Sequence, residues 1–351
     1  MMRKMYGDIA RRFVEIIEES SEVLIISHAN PDGDAVGSVV SMKKFLAIKG
    51  RRSEIALPGA YPQYLSFLDD NGDIILYNEN PDSVKDVLTR VDLIIALDFN
   101  RLGRIDGMQD AIASSTVRKV LIDHHPQPEE SDFDFIISDV TMSSTCELLF
   151  WLFYEVESML SEERVCFPLE LAKSLYVGMM TDTNNFSNSV SDSTFRMASE
   201  LLGMGIDKEE LQYLVFSGFS EERMRLMGYM LLNKMVILPE LKAGYMILTL
   251  SEQEKYGYAE GDSEGFVNLP LSVKGVEVSA LFTEREDVVK VSLRSSNEFS
   301  VNRMARRFFN GGGHERASGG RLSMKIDDVP AYFEEKLKES LNNGLDNSED
   351  E

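Results

Sequence analysis

The sequence predicts an α/β protein: an N-terminal domain with a doubly wound, mostly parallel sheet, a helical linker, and a smaller α+β C-terminal domain. Up to about Val140, short aliphatic runs alternate with helical stretches, which is the pattern of consecutive βαβ units. Helical patterns then dominate. Past Leu238 the chain changes to strands in which polar and apolar residues alternate, as in a sheet with one solvated face.

Hydrophobic periodicity and capping residues give the expected elements. In the N-terminal part these are an amphipathic helix within Met1–Glu19, a helix at Ala35–Ile48, and strands at Val23–Ser27, Leu93–Leu97 and Val117–Ile122. The helical stretch comprises Ser144–Val156, Pro168–Met180, Asp192–Leu202, Asp207–Phe216 and Ser220–Met235. The C-terminal part contains strands at Tyr245–Leu250, Val276–Phe282 and Val288–Leu293, then a helix, a glycine cluster and a last helix after Val329.

A length of 351 residues is enough for about two domains of ~150 residues each. We expect the N-terminal domain at 1–205, the helical linker at 206–238, the C-terminal domain at 239–341 and an acidic, solvated tail at 342–351. The hydrophobic content of 43% and the charged content of 27% are those of a folded globular protein.

The net charge excludes one class of partner. The chain has 36 Lys and Arg residues against 59 Asp and Glu residues, for a formal charge of −23. Long duplex nucleic acid is bound chiefly through neutralisation of its phosphates, so a genome-binding role is disfavoured.

No run approaches the ~18 uncharged apolar residues needed to cross a bilayer, and the start of the chain does not resemble a signal peptide. We therefore expect a soluble, cytoplasmic protein without a membrane partner. The two cysteines, Cys146 and Cys166, form no metal-binding or disulfide pattern and are expected to be reduced core thiols.

Ligand-type residues follow the first predicted strand. Within seven residues the chain presents His28, Asp32 and Asp34, a mixed nitrogen and oxygen set that suits Mn²⁺, Fe²⁺ or Mg²⁺. Ligands of open α/β sheets bind outside the carboxyl ends of the strands, where this loop is expected to lie. The alternative is that Asn-Pro-Asp-Gly is only a turn and that Asp34 is only a helix N-cap.

Potential metal ligands also occur at the ends of two further strands and one helix. Leu93–Leu97 is followed by Asp98, and Val120 to Ile122 by Asp123-His124-His125. Asp182 ends an apolar helix, where a buried acid requires a partner such as a cation. Each acid could instead cap a helix, but three strand ends would then carry ligand residues by accident. The fourth and last histidine, His314, lies in the glycine cluster.

A basic segment stands out in this acidic chain. Between Lys290 and Lys325 there are eight basic residues and only two acidic ones. Glycine-rich turns can offer backbone N–H groups to an anion, and arginine and histidine can add charge-assisted bonds. The candidate anion-binding residues are Arg294, Gly311, Gly312, Gly313, His314 and Arg316. The alternative is a glycine loop that turns a corner, with arginines on a solvated face.

These motifs resemble those of the DHH phosphoesterase family, named for the triad that stands here as Asp123-His124-His125. All four N-terminal motifs occur in order, and Gly311 to Ala317 resembles the glycine-rich motif of the DHH-associated C-terminal domain. The chain is most similar to the bifunctional oligoribonuclease and pAp phosphatase type, and also to exopolyphosphatase-related chains. The chain differs from the usual family motifs at two positions. Asn184 stands where the family often has Gly, and Asn302 stands where a hydrophobic residue is more usual.

The resemblance implies a centre of two divalent ions, with Mn²⁺ expected and Mg²⁺ as the alternative. By position, His28, Asp32 and Asp98 would hold one ion. The second would be held by Asp34, Asp98, His124 and Asp182. Asp98 would then bridge the ions, Asp123 would orient an imidazole, and His125 would face the substrate. These last three residues are the expected catalytic set.

The resemblance implies hydrolysis of short oligoribonucleotides (nano-RNA) to mononucleotides and of pAp to AMP, by a hydroxide that two metal ions activate. Short single-stranded RNA and pAp are the expected partners, and the sequence leaves a homodimer open. The alternatives are a phosphodiesterase for linear or cyclic dinucleotides, an exopolyphosphatase-like hydrolase, and, outside enzymes, a non-catalytic nucleotide sensor.

Overall fold

The computed structural model describes residues 7–69, 71–296 and 298–342, without the side chain of residue 342. Its described residues form two compact units, one ending at Gly218 and the other beginning at Phe219. The first residues of the expected N-terminal helix and the expected acidic tail after residue 342 lie outside the described residues.

The first unit contains a six-stranded sheet with helices on both faces. Its strands are β1 Glu22–Ile26, β2 Arg52–Leu57, β3 Ile74–Leu76, β4 Leu93–Leu97, β5 Arg118–Asp123 and β6 Phe135–Ser138. Its α-helices are α1 Gly7–Glu19, α2 Gly33–Ile48, α3 Pro81–Leu88, α4 Gln109–Ser114, α5 Thr145–Leu160, α6 Leu169–Asp182, α7 Asp192–Gly203 and α8 Lys208–Phe216. Short 3₁₀ turns occur at Gln63–Leu68, Leu102–Arg104, Asp106–Met108 and Glu130–Asp132.

All six strands are parallel, in the order β3-β2-β1-β4-β5-β6. Alternate residues of β1 enter two different cores, Val23 and Ile25 on one face and Leu24 and Ile26 on the other. Burial on both faces explains why these strands are continuous aliphatic runs. The strand order reverses between β1 and β4, and in such sheets this switch point is where ligands bind.

Helices α2 and α6 pack against each other at unusually short distance because glycines face the contact. A Cβ added at Gly37 would lie 2.6 Å from the carbonyl oxygen of Ser174, and one at Gly178 would lie 2.8 Å from Asp34 Oδ1. Real Cβ atoms do not approach backbone so closely. The two glycines therefore let α6 approach the start of α2, which carries Asp34.

The second unit contains a mixed six-stranded sheet in the order β11-β12-β10-β9-β8-β7. Its strands are β7 Val236–Leu238, β8 Ala243–Leu248, β9 Val278–Glu284, β10 Val289–Ser295, β11 Gly312–His314 and β12 Ala317–Leu322. Its helices are α9 Glu221–Tyr229, continued by a π-helical turn at Met230–Lys234, α10 Leu250–Lys255, α11 Val301–Phe308 and α12 Val329–Asn342, with 3₁₀ turns at Pro239–Leu241, Phe266–Ser272 and Ile326–Asp328.

The expected fold class is confirmed, but several strands were not expected from the sequence. Strands β3, β7 and β11 have only three residues each, which is too short for a periodicity to show. Strand β12 reads Ala-Ser-Gly-Gly-Arg-Leu and has no alternation. The glycine cluster, expected to be a turn, contributes Gly312–His314 to the edge of the sheet.

One expectation about the cysteines is wrong. Cys146 is buried, but Cys166 is exposed, so it is not a core thiol. Both are free cysteines. Within the described ranges, none of the helices combines the length and the apolar character that a membrane span requires.

The close contact of α2 and α6 is tested by Gly37→Ala. The new methyl group would collide with backbone, and overpacking of this kind lowers the free energy of unfolding by about 1–3 kcal/mol. Gly228→Ala is the matched control, because Gly228 lies in helix α9 with open space around it and alanine there should be neutral or stabilising. Denaturant unfolding of both variants makes the comparison; equal stability would show that the contact does not require glycine.

Candidate metal centre

The loops after β1, β4 and β5 bring two groups of ligand atoms together at the switch point of the sheet. One group consists of His28, Asp32 and Asp98, and the other of Asp34, Asp98 and His124. Within each group the ligand atoms lie within 4.8 Å of one another. Asp98 belongs to both groups, and Asp32 and Asp34 belong to different ones; the family resemblance implies the same division of ligands.

Both histidines of these groups present Nε2 to the carboxylates. His28 Nδ1 donates to the carbonyl oxygen of Ala29 at 2.9 Å, and His124 Nδ1 donates to that of Met142 at 3.2 Å. His28 Nε2 lies 3.4 Å from Asp98 Oδ2, and His124 Nε2 lies 3.7 Å from Asp98 Oδ1. With Nδ1 held by a carbonyl, Nε2 keeps the lone pair that a metal ligand requires.

Asp182 joins the second group from the end of α6. Its Oδ2 lies 3.5 Å from His124 Nε2, and its side chain is 24% exposed. The residue two positions later, Asn184, has a left-handed backbone with φ of +46°. Glycine adopts this conformation without strain, and asparagine is among the few other residues that tolerate it. The departure at Asn184 is therefore compatible with the local backbone.

The N-terminus of helix α5 holds two of the carboxylates. The backbone N–H groups of Thr145 and Cys146 donate to Asp34 at 2.7 and 2.9 Å, and the Thr145 hydroxyl donates to Asp98 at 3.0 Å. Helix N-termini favour negative charge. The sequence pattern at Ser144–Val156 predicts only a helix and does not indicate the role of Thr145.

A buried glutamate fixes the start of α5. Glu147 is fully buried, and its carboxylate accepts hydrogen bonds from Ser143 N at 3.0 Å, from Thr194 Oγ1 at 2.8 Å and from the Ser193 hydroxyl. Ser193 and Thr194 belong to the first turn of α7, so this network ties two helices together. A single acid directly before the apolar run Leu148 to Phe153 is the signal that could have revealed it.

The loop after β1 does contain a helix N-cap, as the alternative interpretation of this loop proposed, but the capping residue is not Asp34. Asp32, not Asp34, is the N-cap of α2, and its Oδ1 accepts the N–H groups of Asp34 and Ala35 at 3.0 and 3.1 Å. Capping occupies one carboxylate oxygen, so it is compatible with ligation through the other. Asp34 points instead toward α5.

The electrostatics of the centre show why cations fit it. Burial, together with repulsion from Asp34, Asp32, Asp123 and Asp182, raises the pKa of Asp98 well above its ordinary value. Burial also raises the pKa of Asp34. Such a cluster of buried carboxylates is unfavourable by itself, and divalent cations would offset both the repulsion and the burial.

The histidines respond to burial and charge in opposite directions. Burial lowers the pKa of His28. Burial also acts to lower the pKa of His124, but the carboxylates of Asp182 and Asp34 outweigh it, so the pKa is raised. Imidazole and carboxylate ligands together suit Mn²⁺, Fe²⁺ or Mg²⁺ better than soft metals, so the residues present fit the expected ions.

Asp123 contacts the non-ligand imidazole of the triad. Its Oδ1 accepts from His125 Nδ1 at 2.7 Å, whereas no group among the described residues donates to its buried Oδ2. Burial acts to raise the pKa of Asp123, but His125 outweighs it, so the pKa is lowered. The imidazole that Asp123 orients is therefore His125 and not the ligand candidate His124.

The candidate anion-binding residues of the second unit lie on the last strands of its sheet. Arg294 of β10 pairs with Ala317 of β12, which pairs with His314 of β11. Cross-strand partners project from the same face, so Arg294 and His314 share one face of the sheet. Arg316 lies in the turn between β11 and β12.

Two of the three glycines in the cluster have a steric role. A Cβ at Gly311 would overlap the backbone of Gly319, and Gly313 has a φ of +145° with Ala317 O at 2.6 Å from its added Cβ. At Gly312 the nearest atom would be Asn302 Oδ1 at an ordinary 3.6 Å. Asn302, the second departure, is buried and accepts from Arg306 Nε at 3.2 Å.

Two domain families match the chain. Residues 22–179 match the N-terminal domain of the DHH family, and residues 242–340 match the DHHA1 domain. The crystal structure of an exopolyphosphatase-related protein from Bacteroides fragilis is 39% identical, has a TM-score of 0.85, and covers 94% of this chain and 95% of that one. This chain belongs to the DHH family.

Two of the relatives that carry a functional name share the same one. The bifunctional oligoribonuclease and PAP phosphatase NrnA of Thermus thermophilus is 28% identical to this DHH chain, over 96% of it and 95% of its own length. The protein of the same name from Bacillus subtilis is 27% identical, over 90% of this chain and 95% of its own length. An oligoribonuclease and a phosphatase both hydrolyse phosphate esters, so these DHH relatives are phosphoesterases.

The shared position of Asp98 is tested by metal titration. Asp98→Asn should weaken Mn²⁺ binding at both ions by more than about 100-fold, since even residues behind the ligands change affinity by 10–100-fold. Asp32→Asn should weaken only one ion. Calorimetric titration gives both stoichiometries, and circular dichroism checks the fold. Equal effects of the two substitutions would contradict the bridging role.

Proposed function

We propose that this chain is a metal-dependent phosphoesterase that hydrolyses short oligoribonucleotides to mononucleotides and pAp to AMP. The observation that carries the proposal is the pair of ligand groups that share Asp98. The full-length similarity to two enzymes named oligoribonuclease and PAP phosphatase supports the substrate class.

Two divalent ions, Mn²⁺ in preference to Mg²⁺, would complete the centre. His28, Asp32 and Asp98 would hold one, and a second set would hold the other: Asp34, Asp98, His124 and Asp182. When bound, such a pair lowers the pKa of a water molecule and stabilises the attacking and leaving oxygens of a displacement at phosphorus.

Ser27 and Cys146 lie beside the ligand residues, but neither is a suitable nucleophile. The hydroxyl of Ser27 is buried and donates to the carbonyl oxygen of Leu97 at 2.8 Å. Burial and the nearby carboxylate of Asp34 raise the pKa of the Cys146 thiol well above its ordinary value, so it is a poor nucleophile. Water is therefore the proposed nucleophile.

The Asp123–His125 pair supplies a positioned proton donor. The Asp123 carboxylate accepts from His125 Nδ1 at 2.7 Å and fixes the orientation of the ring. His125 Nδ1 also lies 3.7 Å from Asp98 Oδ1, so the ring stands beside the ligand groups. We assign to His125 a contact with a phosphoryl oxygen or protonation of the leaving oxygen.

The second unit would bind the substrate through its phosphates. Arg294, His314 and Arg316 supply positive charge, and Gly311 to Gly313 supply backbone N–H groups. The basic segment is confined to one part of an acidic chain, which favours a short phosphorylated molecule over a long duplex.

Product analysis tests the proposal. The Mn²⁺-loaded protein is incubated with labelled di- to pentaribonucleotides and with pAp. We expect mononucleotides from the first and AMP from the second, because both reactions place one phosphate ester at the ligand groups. Asp98→Asn is the control and should abolish both activities.

Other outcomes separate the alternatives. Turnover of short polyphosphate or of cyclic dinucleotides, without turnover of RNA or pAp, would contradict the substrate assignment and favour an exopolyphosphatase-like or dinucleotide enzyme. Nucleotide binding without hydrolysis of any of these compounds would favour a sensor.

A second prediction concerns proton donation. Asp123→Asn removes the carboxylate that accepts from His125 Nδ1 and orients its ring, and should lower kcat by about 10²–10⁴-fold, the range of general acid catalysis. The Mn²⁺ stoichiometry should stay unchanged, because neither residue is among the proposed ligands. Steady-state kinetics and metal titration measure both; an unchanged kcat in Asp123→Asn and in His125→Ala would exclude this role.

A further inference from the structure

Thr145 contacts two ligand candidates without being one itself. It is the first residue of α5, and it is fully buried. Its backbone N–H donates to Asp34 Oδ2 at 2.7 Å, and its hydroxyl donates to Asp98 Oδ1 at 3.0 Å. One neutral residue therefore joins two carboxylates that come from different parts of the chain.

The two oxygens of Asp98 lie beside different histidines. Oδ2 is 3.4 Å from Nε2 of His28, which belongs to the first ligand group together with Asp32. Oδ1 is 3.7 Å from Nε2 of His124, which belongs to the second ligand group together with Asp34. The hydroxyl of Thr145 donates to Oδ1, so both of its contacts are made to the second group.

The backbone of Asp98 has an uncommon conformation. Its φ is +66°, in the left-handed region that residues other than glycine seldom occupy. Such a conformation persists where the surrounding contacts fix it. The N–H of Asp98 donates to the carbonyl oxygen of Ile122 at 3.2 Å, and Thr145 holds the carboxylate. Hydrogen bonds to two other segments thus position this residue.

The helix to which Thr145 belongs does not use its hydroxyl. Threonine hydroxyls in helices commonly donate to a carbonyl of the preceding turn, as Thr181 of α6 does to the carbonyl oxygen of Val177 at 3.0 Å. Among the described residues, the hydrogen bond of Thr145 Oγ1 goes to Asp98 alone. Loss of this hydroxyl would therefore act on Asp98 and leave the hydrogen bonds of α5 intact.

The position of Thr145 is itself fixed by Glu147. The buried Glu147 carboxylate accepts from the Ser143 N–H at 3.0 Å, from the Ser143 hydroxyl at 2.5 Å and from Thr194 Oγ1 at 2.8 Å. A buried carboxylate is tolerated when hydrogen bonds satisfy it in this way. The segment that leads into α5 is thus tied to α7, and the two donors of Thr145 are held in place.

We propose that Thr145 is a positioning residue for the second metal ion, the one assigned to Asp34, Asp98 and His124. Its hydroxyl fixes Oδ1 of Asp98, and its N–H fixes Asp34. The inference rests on the proposed function, because it concerns the same pair of ions. It adds that the two ions differ, since Thr145 supports the second ligand group and not the first.

Metal titration tests this inference without requiring turnover. Thr145→Val replaces the hydroxyl by a methyl group and keeps the backbone N–H that Asp34 accepts. The affinity for the second Mn²⁺ should fall by about 10–100-fold, the usual effect of a residue that orients a ligand, and the first Mn²⁺ should bind as before. Calorimetric titration of the full-length protein with Mn²⁺ measures both ions.

A double variant identifies the ion that Thr145 supports. Asp32 belongs to the first group alone, so Asp32→Asn should weaken the first ion. If Thr145→Val weakens the second, the variant that carries both substitutions should bind both ions weakly, because the effects of separate sites combine. If the two substitutions act on the same ion, the other ion keeps its full affinity in the double variant, which would contradict the inference.

Two further variants separate positioning from a general effect on the fold. Thr145→Ser keeps a hydroxyl and should restore the affinity for the second ion. Thr283→Val makes the same exchange at a buried threonine of β9 in the second unit and should change neither ion. Thermal unfolding of the metal-free proteins checks their stability, and Thr145→Ala replaces the valine variant if that protein does not fold.

Four results would overturn the inference: an unchanged second ion in Thr145→Val, equal losses at both ions, no restoration in Thr145→Ser, or a wild-type protein that binds only one Mn²⁺. Because Mn²⁺ is the only ligand in these titrations, each result is obtained even if the protein hydrolyses neither RNA nor pAp. Failure of this inference is thus distinguished from failure of the proposed function, which product analysis decides.

Discussion

The N-terminal unit depends on one electrostatic constraint, the presence of several carboxylates in a small, mostly buried volume. Asp98 lies in the middle, and repulsion from its neighbours raises its pKa well above the ordinary value. The folded chain holds this arrangement with the N-terminal amides of α5 and with histidines oriented by backbone carbonyls. Every other feature of the site serves to position or to neutralise these groups.

The fold supplies that position through three constraints. The strand order reverses beside β1, so the loops after β1, β4 and β5 meet at one edge of the sheet. Two glycines bring α6 close enough to α2 for Asp182 to reach His124. The buried carboxylate of Glu147 ties the beginning of α5 to α7. The centre is therefore supported by several elements that are distant in sequence.

The second unit contains the basic segment of this acidic chain. A chain with a formal charge of −23 would repel a phosphorylated substrate, yet one segment is basic. The sheet register places the cations of β10, β11 and β12 on one face and leaves glycines between them. Positive charge is thus concentrated in one segment of a chain whose net charge is negative.

The sequence by itself determined the fold class, most helix bounds and the identity of the ligand candidates, because these depend on local periodicity and on residue type. It did not determine the short edge strands, the exposure of Cys166, the contact of Asp123 with His125, or the capping role of Asp32. Register, helix approach and burial decide these contacts, and they arise only when residues far apart in the chain pack together.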